Sequence, residues 1–147
     1  DYQLTMLRFR EEHMLSGAAR RLKRGIDQGM NPGAVFSRVQ DHVIGSAHAH
    51  MERLVLEAFV DKVRTLPDGD HKVALSLLCD LHALCVIEDD RAWFMEHGRL
   101  SSQRSKAISR EINSLCRKIR PLAGDLVDAL GVPHAMLRSP ELVGPVA

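Results

Sequence analysis

Leu115-Cys116-Arg117-Lys118-Ile119-Arg120-Pro121-Leu122-Ala123-Gly124-Asp125-Leu126-Val127-Asp128-Ala129-Leu130-Gly131-Val132-Pro133 is a helical pattern cut by a proline. Ile108, Ile112, Leu115 and Ile119 recur at three- and four-residue steps, the period of one helix face. Pro121 lacks the amide that would continue the hydrogen-bond ladder, and inside a straight helix it costs ~3 kcal/mol. The pattern predicts a helix from Ser101 or Ser102 that kinks or breaks at Pro121, then a short helix over Leu122 to Leu130. Gly131 stops it and Pro133 begins one last turn.

Working back toward the N-terminus, the same logic divides the chain into long helices with no room for a sheet. Gly98 ends a third helix that starts after Pro67-Asp68-Gly69-Asp70, with Asp70 as its expected N-cap and His97 near its end. A second helix runs from Pro32 to Arg64, capped by Asn31, and carries Phe36, Val39, Val43, Ala47, His50, Leu54 and Ala58 on one stripe. At ~30 residues it spans ~45 Å, a length typical of bundles. The first helix runs from Gln3 to Gln28, with Leu4, Leu7, Met14, Leu15, Ala18, Leu22 and Ile26 at helical spacing, and Gly29-Met30-Asn31-Pro32-Gly33 stops it. The fold expected is all-α: an antiparallel four-helix bundle with a kinked or broken last helix, one domain over residues 1–147. The tail after Pro140 is expected to be mobile.

Composition narrows the function classes. A chain of 147 residues buries enough apolar surface to need no staple, and Cys79, Cys85 and Cys116 form no C-x-x-C pair. Zinc and disulfide frameworks are disfavoured, and reduced, inert thiols among apolar helical neighbours are favoured over a catalytic nucleophile. A formal charge of +1 gives no global pull toward nucleic acid or an anionic membrane. With no apolar run of about 18 residues and no basic-then-apolar leader, the chain reads as soluble.

Most catalytic constellations fail on spacing. None of the eight histidines follows a Glu by three residues, so the Glu-x-x-His of di-iron bundles is missing. The phosphate loop, His-Glu-x-x-His and Gly-x-Ser-x-Gly are missing too. His48 and His50 point about 200° apart on a helix and cannot chelate one ion; His50, on the apolar stripe, is expected to hydrogen-bond across the bundle. Glu88 lies among Leu77, Leu81, Leu84, Cys85, Ala92 and Met95, where a carboxylate needs a cation such as Arg91 or a group on the fourth helix. A structural ion pair is the favoured reading, a general base the competing one. Charge is uneven: Asp80, Glu88, Asp89, Asp90 and Glu96 make the third helix acidic, whereas Arg99, Lys106, Arg110, Arg117 and Arg120 line one face of the fourth. Arg20, Arg21, Lys23 and Arg24 add a basic cluster at the end of the first. Docking of the fourth helix onto another protein surface is favoured over phosphate contact, because one Trp, one Tyr and four Phe supply few rings for stacking bases.

The basic helix running into Arg120-Pro121, the Asp125-Leu126-Val127-Asp128-Ala129-Leu130 segment, the Gly131-Val132-Pro133 turn, Met136-Leu137 before Ser139-Pro140, and Ala47-His48-Ala49-His50 together resemble the C-terminal helical domain of acyl-CoA oxidases. The likeness covers nearly the whole chain. It implies that this is one part of a FAD-dependent enzyme that converts an acyl-CoA and O2 to a trans-2-enoyl-CoA and peroxide. The resemblance places the catalytic glutamate and the main flavin contacts in the preceding part, so no residue here is assigned to catalysis, cofactor or metal. It further implies a flavin-binding body and a homo-oligomer as partners and acyl-CoA as the parent's substrate, with no nucleic acid or membrane. The Gly-Pro-Val-Ala ending is not a peroxisomal Ser-Lys-Leu address, which favours a bacterial, cytoplasmic parent. Asp1-Tyr2 offers no convincing N-cap, and the fragment is expected to self-associate or stick to its parent body.

Overall fold

A computed structural model describes residues 2–133 and 136. Every regular element among them is helical: α1 (Tyr2–Asp27), α2 (Pro32–Thr65), α3 (Asp70–Asp89), α4 (Arg91–Glu96), α5 (Ser102–Ile119), a 3-10 turn (Arg120–Leu122) and α6 (Ala123–Asp128). Gly29 and Gly98 terminate α1 and α4 in the same way. Each has positive φ, 75° and 66°, which lets the amides beyond it turn back onto the last helical carbonyls. Met30 N–H thus reaches Gly25 O at 3.2 Å, and Arg99 N–H reaches Phe94 O at 2.8 Å. Asn31 caps α2 as expected, its Oδ1 accepting from the amides of Gly33 and Ala34. Ser101 does the same for α5 through Arg104 N–H.

Three expectations need correction. Asp70 is the first residue of α3 rather than its cap; Gly69 holds the cap position with no side-chain bond. The third helix does not run unbroken to His97, because Asp90 leaves helical geometry and separates α3 from α4. The short helix after Pro121 begins at Ala123 and ends at Asp128, since Arg120–Leu122 tightens into the 3-10 turn. Beyond it, Met136 N–H closes a turn onto Pro133 O at 2.8 Å. Asp1, Leu137, Ser139, Pro140 and the tail lie outside the described residues.

Contacts between helices give their directions. Arg8 meets Glu57, Glu11 meets His50, and Gly25 lies against Val35, so α1 and α2 run antiparallel along their length. Helix α5 packs on α3, where Ser109 donates to Glu88. The main core gathers toward one end of the α1–α2 pair: Leu4, Met6 and Leu7 of α1, Leu56 of α2, Cys79, Ala83, Val86 and Ile87 of α3, with Phe94 and Leu100. The opposite halves of α1 and α2 continue past this core as a two-helix arm.

Candidate functional site

The apolar stripe of α2 does not lie where its periodicity suggests. Val35, Val39, Ser46, Ala49 and Leu56 are the buried residues, whereas Phe36 and Leu54 are exposed and His50 is half exposed. Val43, Ala47 and His50 instead join Phe36 and Ser46 along one wall of an open groove of about 490 Å³. Leu15, Ala18, Ala19 and Leu22 of α1 form the other wall. Leu15 is 58% and Phe36 51% exposed, so the groove presents hydrocarbon to water. Ile26 on α1 and Ile44, Met51 and Val55 on α2 are also large exposed apolar side chains. The arm therefore has two apolar faces: a narrow one of Gly, Ala and Val that joins its helices, and a wider one left uncovered.

Charges close one end of the groove. Glu11 bonds His50 Nδ1 at 2.6 Å and also accepts from the Arg53 guanidinium, whose other contact is Glu57. Burial pushes the Glu11 carboxyl up, but Arg53 and His50 outweigh it and hold the group below its ordinary value. His50 thus makes the cross-helix bond expected of it, while His48 faces solvent.

A feature the sequence reading missed sits beside this ladder. Arg10 is 1% exposed within the α1 core face and bridges Glu52 of α2 and Asp90 at the α3–α4 break. Its position was detectable: Arg10 fills the gap between Leu7 and Met14 in the apolar stripe, where only a paired cation is tolerated. Glu88, by contrast, is one third exposed, accepts from Ser109 and lies 3.9 Å from the half-exposed Arg91. It belongs to the outer seam of α3 and α5 rather than to a buried ion pair. Burial pushes the thiols of Cys79 and Cys85 up, with Asp80 and Asp89 adding to it, which keeps them protonated and unreactive.

Beside the main core, at the end of α4, Trp93 stacks on His97 at 3.9 Å between centroids, and His13 of α1 meets His97 edge-on at 4.4 Å. These rings share a cavity of about 380 Å³ with Arg20, Arg21, His42 and Glu96. The groove, hydrocarbon with a carboxylate at its mouth, does not suit the pyrophosphate of FAD, whereas the second cavity sets Arg20, Arg21 and three histidines against the single carboxylate of Glu96. No group of three or more metal-ligating side chains occurs among the described residues, and none of their helices is long and apolar enough to cross a membrane.

The described residues form an all-helical structure whose α1–α2 arm carries an uncovered apolar face. Its family is specific: the chain belongs to the acyl-CoA oxidases, whose family model matches residues 1–140. It is 30% identical over 95% of its length to peroxisomal acyl-coenzyme A oxidase 2 of Arabidopsis thaliana, covering 20% of that protein. It is 29% identical over 74% of its length to an acyl-coenzyme A oxidase-like protein of Mus musculus, covering 17% of that one. Acyl-CoA oxidase-1 of Caenorhabditis elegans, solved in an apo form and with FAD and ATP, shares the fold with a TM-score of 0.84 at 22% identity, over 88% of this chain and 20% of that one. The chain thus spans about a fifth of the length of these relatives.

Proposed function

We propose that residues 1–147 form the C-terminal helical domain of a FAD-dependent acyl-CoA oxidase and pack onto its flavin-binding body through the α1–α2 groove. The observation that carries this is the groove itself: Leu15 and Phe36 stand half in water on a mainly apolar surface with Ala18, Ala19, Leu22, Val43 and Ala47, closed at one end by Glu11 and His50. Exposed apolar surface of this kind marks an interface. The parent's reaction removes two hydrogens from an acyl-CoA thioester, one to a glutamate of the body and one as hydride to FAD, and O2 then takes the electrons to give peroxide. This chain's own residues bind and orient; none is assigned a proton or hydride. Family membership supports that chemistry, and the share of the relatives covered supports a role as one part of it. A homo-oligomeric, cytoplasmic parent is part of the same proposal.

The test is a binding titration between this chain and the separately expressed body. Leu15→Glu with Phe36→Glu places two charges in the groove while leaving the buried face intact. Binding should fall below detection with the helical circular dichroism unchanged. Wild-type affinity in that variant would contradict docking through the groove.

A further inference from the structure

The cavity between α1, α2 and α4 is lined by charge that the fold leaves unpaired. His13, Gly17, Arg20 and Arg21 recur at helical spacing, so they share one face of α1 and form its first wall. His42 of α2, with Trp93 and Glu96 of α4 and the capping His97, forms the other sides. Its volume of about 380 Å³ falls within the range of small-molecule sites. It shares no lining residue with the α1–α2 groove.

Gly17 gives the cavity its shape. Glycine is disfavoured inside a helix unless a close contact requires it, as Val35 does at Gly25. No second helix approaches Gly17: apart from its own helix backbone, a Cβ there would meet only Arg21 Nη1, at 3.1 Å. The bare backbone lets the Arg21 guanidinium fold back and donate to Gly17 O at 3.1 Å. One N–H of the fork is thereby anchored, and the others remain for a ligand. Arg20 has no partner among the described residues, and neither arginine pairs with Glu96 although all three line one cavity. Lys23 and Arg24, on the same helix, lie outside it. His97 is oriented as well. Its Nδ1 bonds the Trp93 carbonyl at 2.8 Å, and a carbonyl only accepts, so Nδ1 carries the proton and Nε2 is left for another partner.

We infer that this cavity binds a phosphorylated sugar, free or as the ribose phosphate of a nucleotide. A phosphate monoester carries close to two charges at neutral pH and three acceptor oxygens, a match for two guanidinium groups. Glu96 decides the rest of the ligand. A carboxylate beside the arginines repels a bare or condensed phosphate, but it accepts from hydroxyl groups next to one. Imidazoles both donate and accept, as hydroxyls do, so His13, His42 and His97 suit the same body. Trp93 already stacks on His97, so the site demands no base.

Trp93 is the only tryptophan of the chain and reports on its own cavity. The test follows its emission while the chain is titrated with ribose 5-phosphate, AMP, ribose, adenosine and inorganic phosphate, with calorimetry fixing the stoichiometry. Both phosphorylated ligands should give a saturable one-to-one response. Ribose, adenosine and inorganic phosphate should each bind at least about tenfold more weakly, as the loss of one charged or hydroxyl contact set allows. AMP binding above ribose 5-phosphate identifies a nucleotide as the source, and equal or weaker binding a free sugar phosphate; both support the site. Arg20→Gln with Arg21→Gln should remove the response with helical circular dichroism unchanged. Glu96→Gln should strengthen inorganic phosphate and narrow its gap to ribose 5-phosphate. Leu15→Glu with Phe36→Glu leaves this cavity untouched, so failure here and failure of docking through the groove are read separately. No saturable change with either phosphorylated ligand, ribose binding as well as its phosphate, inorganic phosphate as tight as ribose 5-phosphate, an arginine double variant that still binds, or a Glu96→Gln chain with unchanged preference would each overturn the inference.

Discussion

Arg10 fixes three elements with one side chain, and its energetics are asymmetric. The guanidinium is buried with its Nε lacking a partner, whereas Glu52 and Asp90 are 41% and 46% exposed. Removing the cation leaves two carboxylates that water can reach; removing both carboxylates leaves a charge stranded in the core. Glu52→Ala with Asp90→Ala should therefore cost about 3–5 kcal/mol, and Arg10→Met, which refills the volume, far less. Urea denaturation decides it, and equal losses would contradict the argument. Glu88→Ala should cost only about 1 kcal/mol, one hydrogen bond plus an exposed ion pair, and a loss near 3 would restore a buried role. Glu11 sets a pH dependence. Its folded pKa lies below the reference 4.5, so the folded state binds fewer protons than the unfolded one in that range. Its contribution is complete above about 4.5 and disappears as pH falls through the lower folded value. Melting temperature should drop on acidification below that point, and Glu11→Gln should flatten that part of the curve; an unchanged curve would contradict it.

At the scale of elements, the close approach of α1 and α2 rests on Gly25. A Cβ there would sit 2.6 Å from Val35 Cγ1, and Val35, 2% exposed, has no room to move. Gly25→Ala should cost about 1–3 kcal/mol as overpacking, with Val35→Ala recovering part of it in the double variant. Gly45→Ala should cost less, because its neighbour at 2.9 Å is the flexible Met14 methyl. Thermal melts of the four variants check the ordering, and a Gly45→Ala loss exceeding that of Gly25→Ala would contradict it. The boundaries set by local chemistry were legible: Asn31 caps, a helix starts at Ser101 or Ser102, Gly98 stops, and Pro121 breaks the ladder. The break at Asp90 was not, because no Gly or Pro marks it. Asp90 is held by Arg10, eighty positions earlier in the chain, and a long-range ion pair leaves no periodic trace.

At the scale of the whole molecule, the sequence displayed the groove residues but gave them the wrong surroundings. Phe36, Val43, Ala47 and His50 form a true helical stripe, and amphipathic periodicity cannot say which of two apolar faces meets the core. Small residues settle it: Ala18, Gly25 and Ala49 draw the helices together and leave the larger side chains outside. Family likeness was legible in the last third of the chain, where the helix, the proline break and the Asp-Leu-Val-Asp segment occur in order. A chain that spans about a fifth of the length of its relatives, with an apolar face uncovered, should be inert alone and active in company. The direct measurement mixes this chain with a flavin-binding body truncated before the matching helices, adds FAD and a long-chain acyl-CoA, and follows flavin absorbance and peroxide. Colourless, inactive chain that restores peroxide formation to the truncated body is the predicted result. Stoichiometric flavin and turnover in the chain alone, or a mixture no more active than the body, would contradict it.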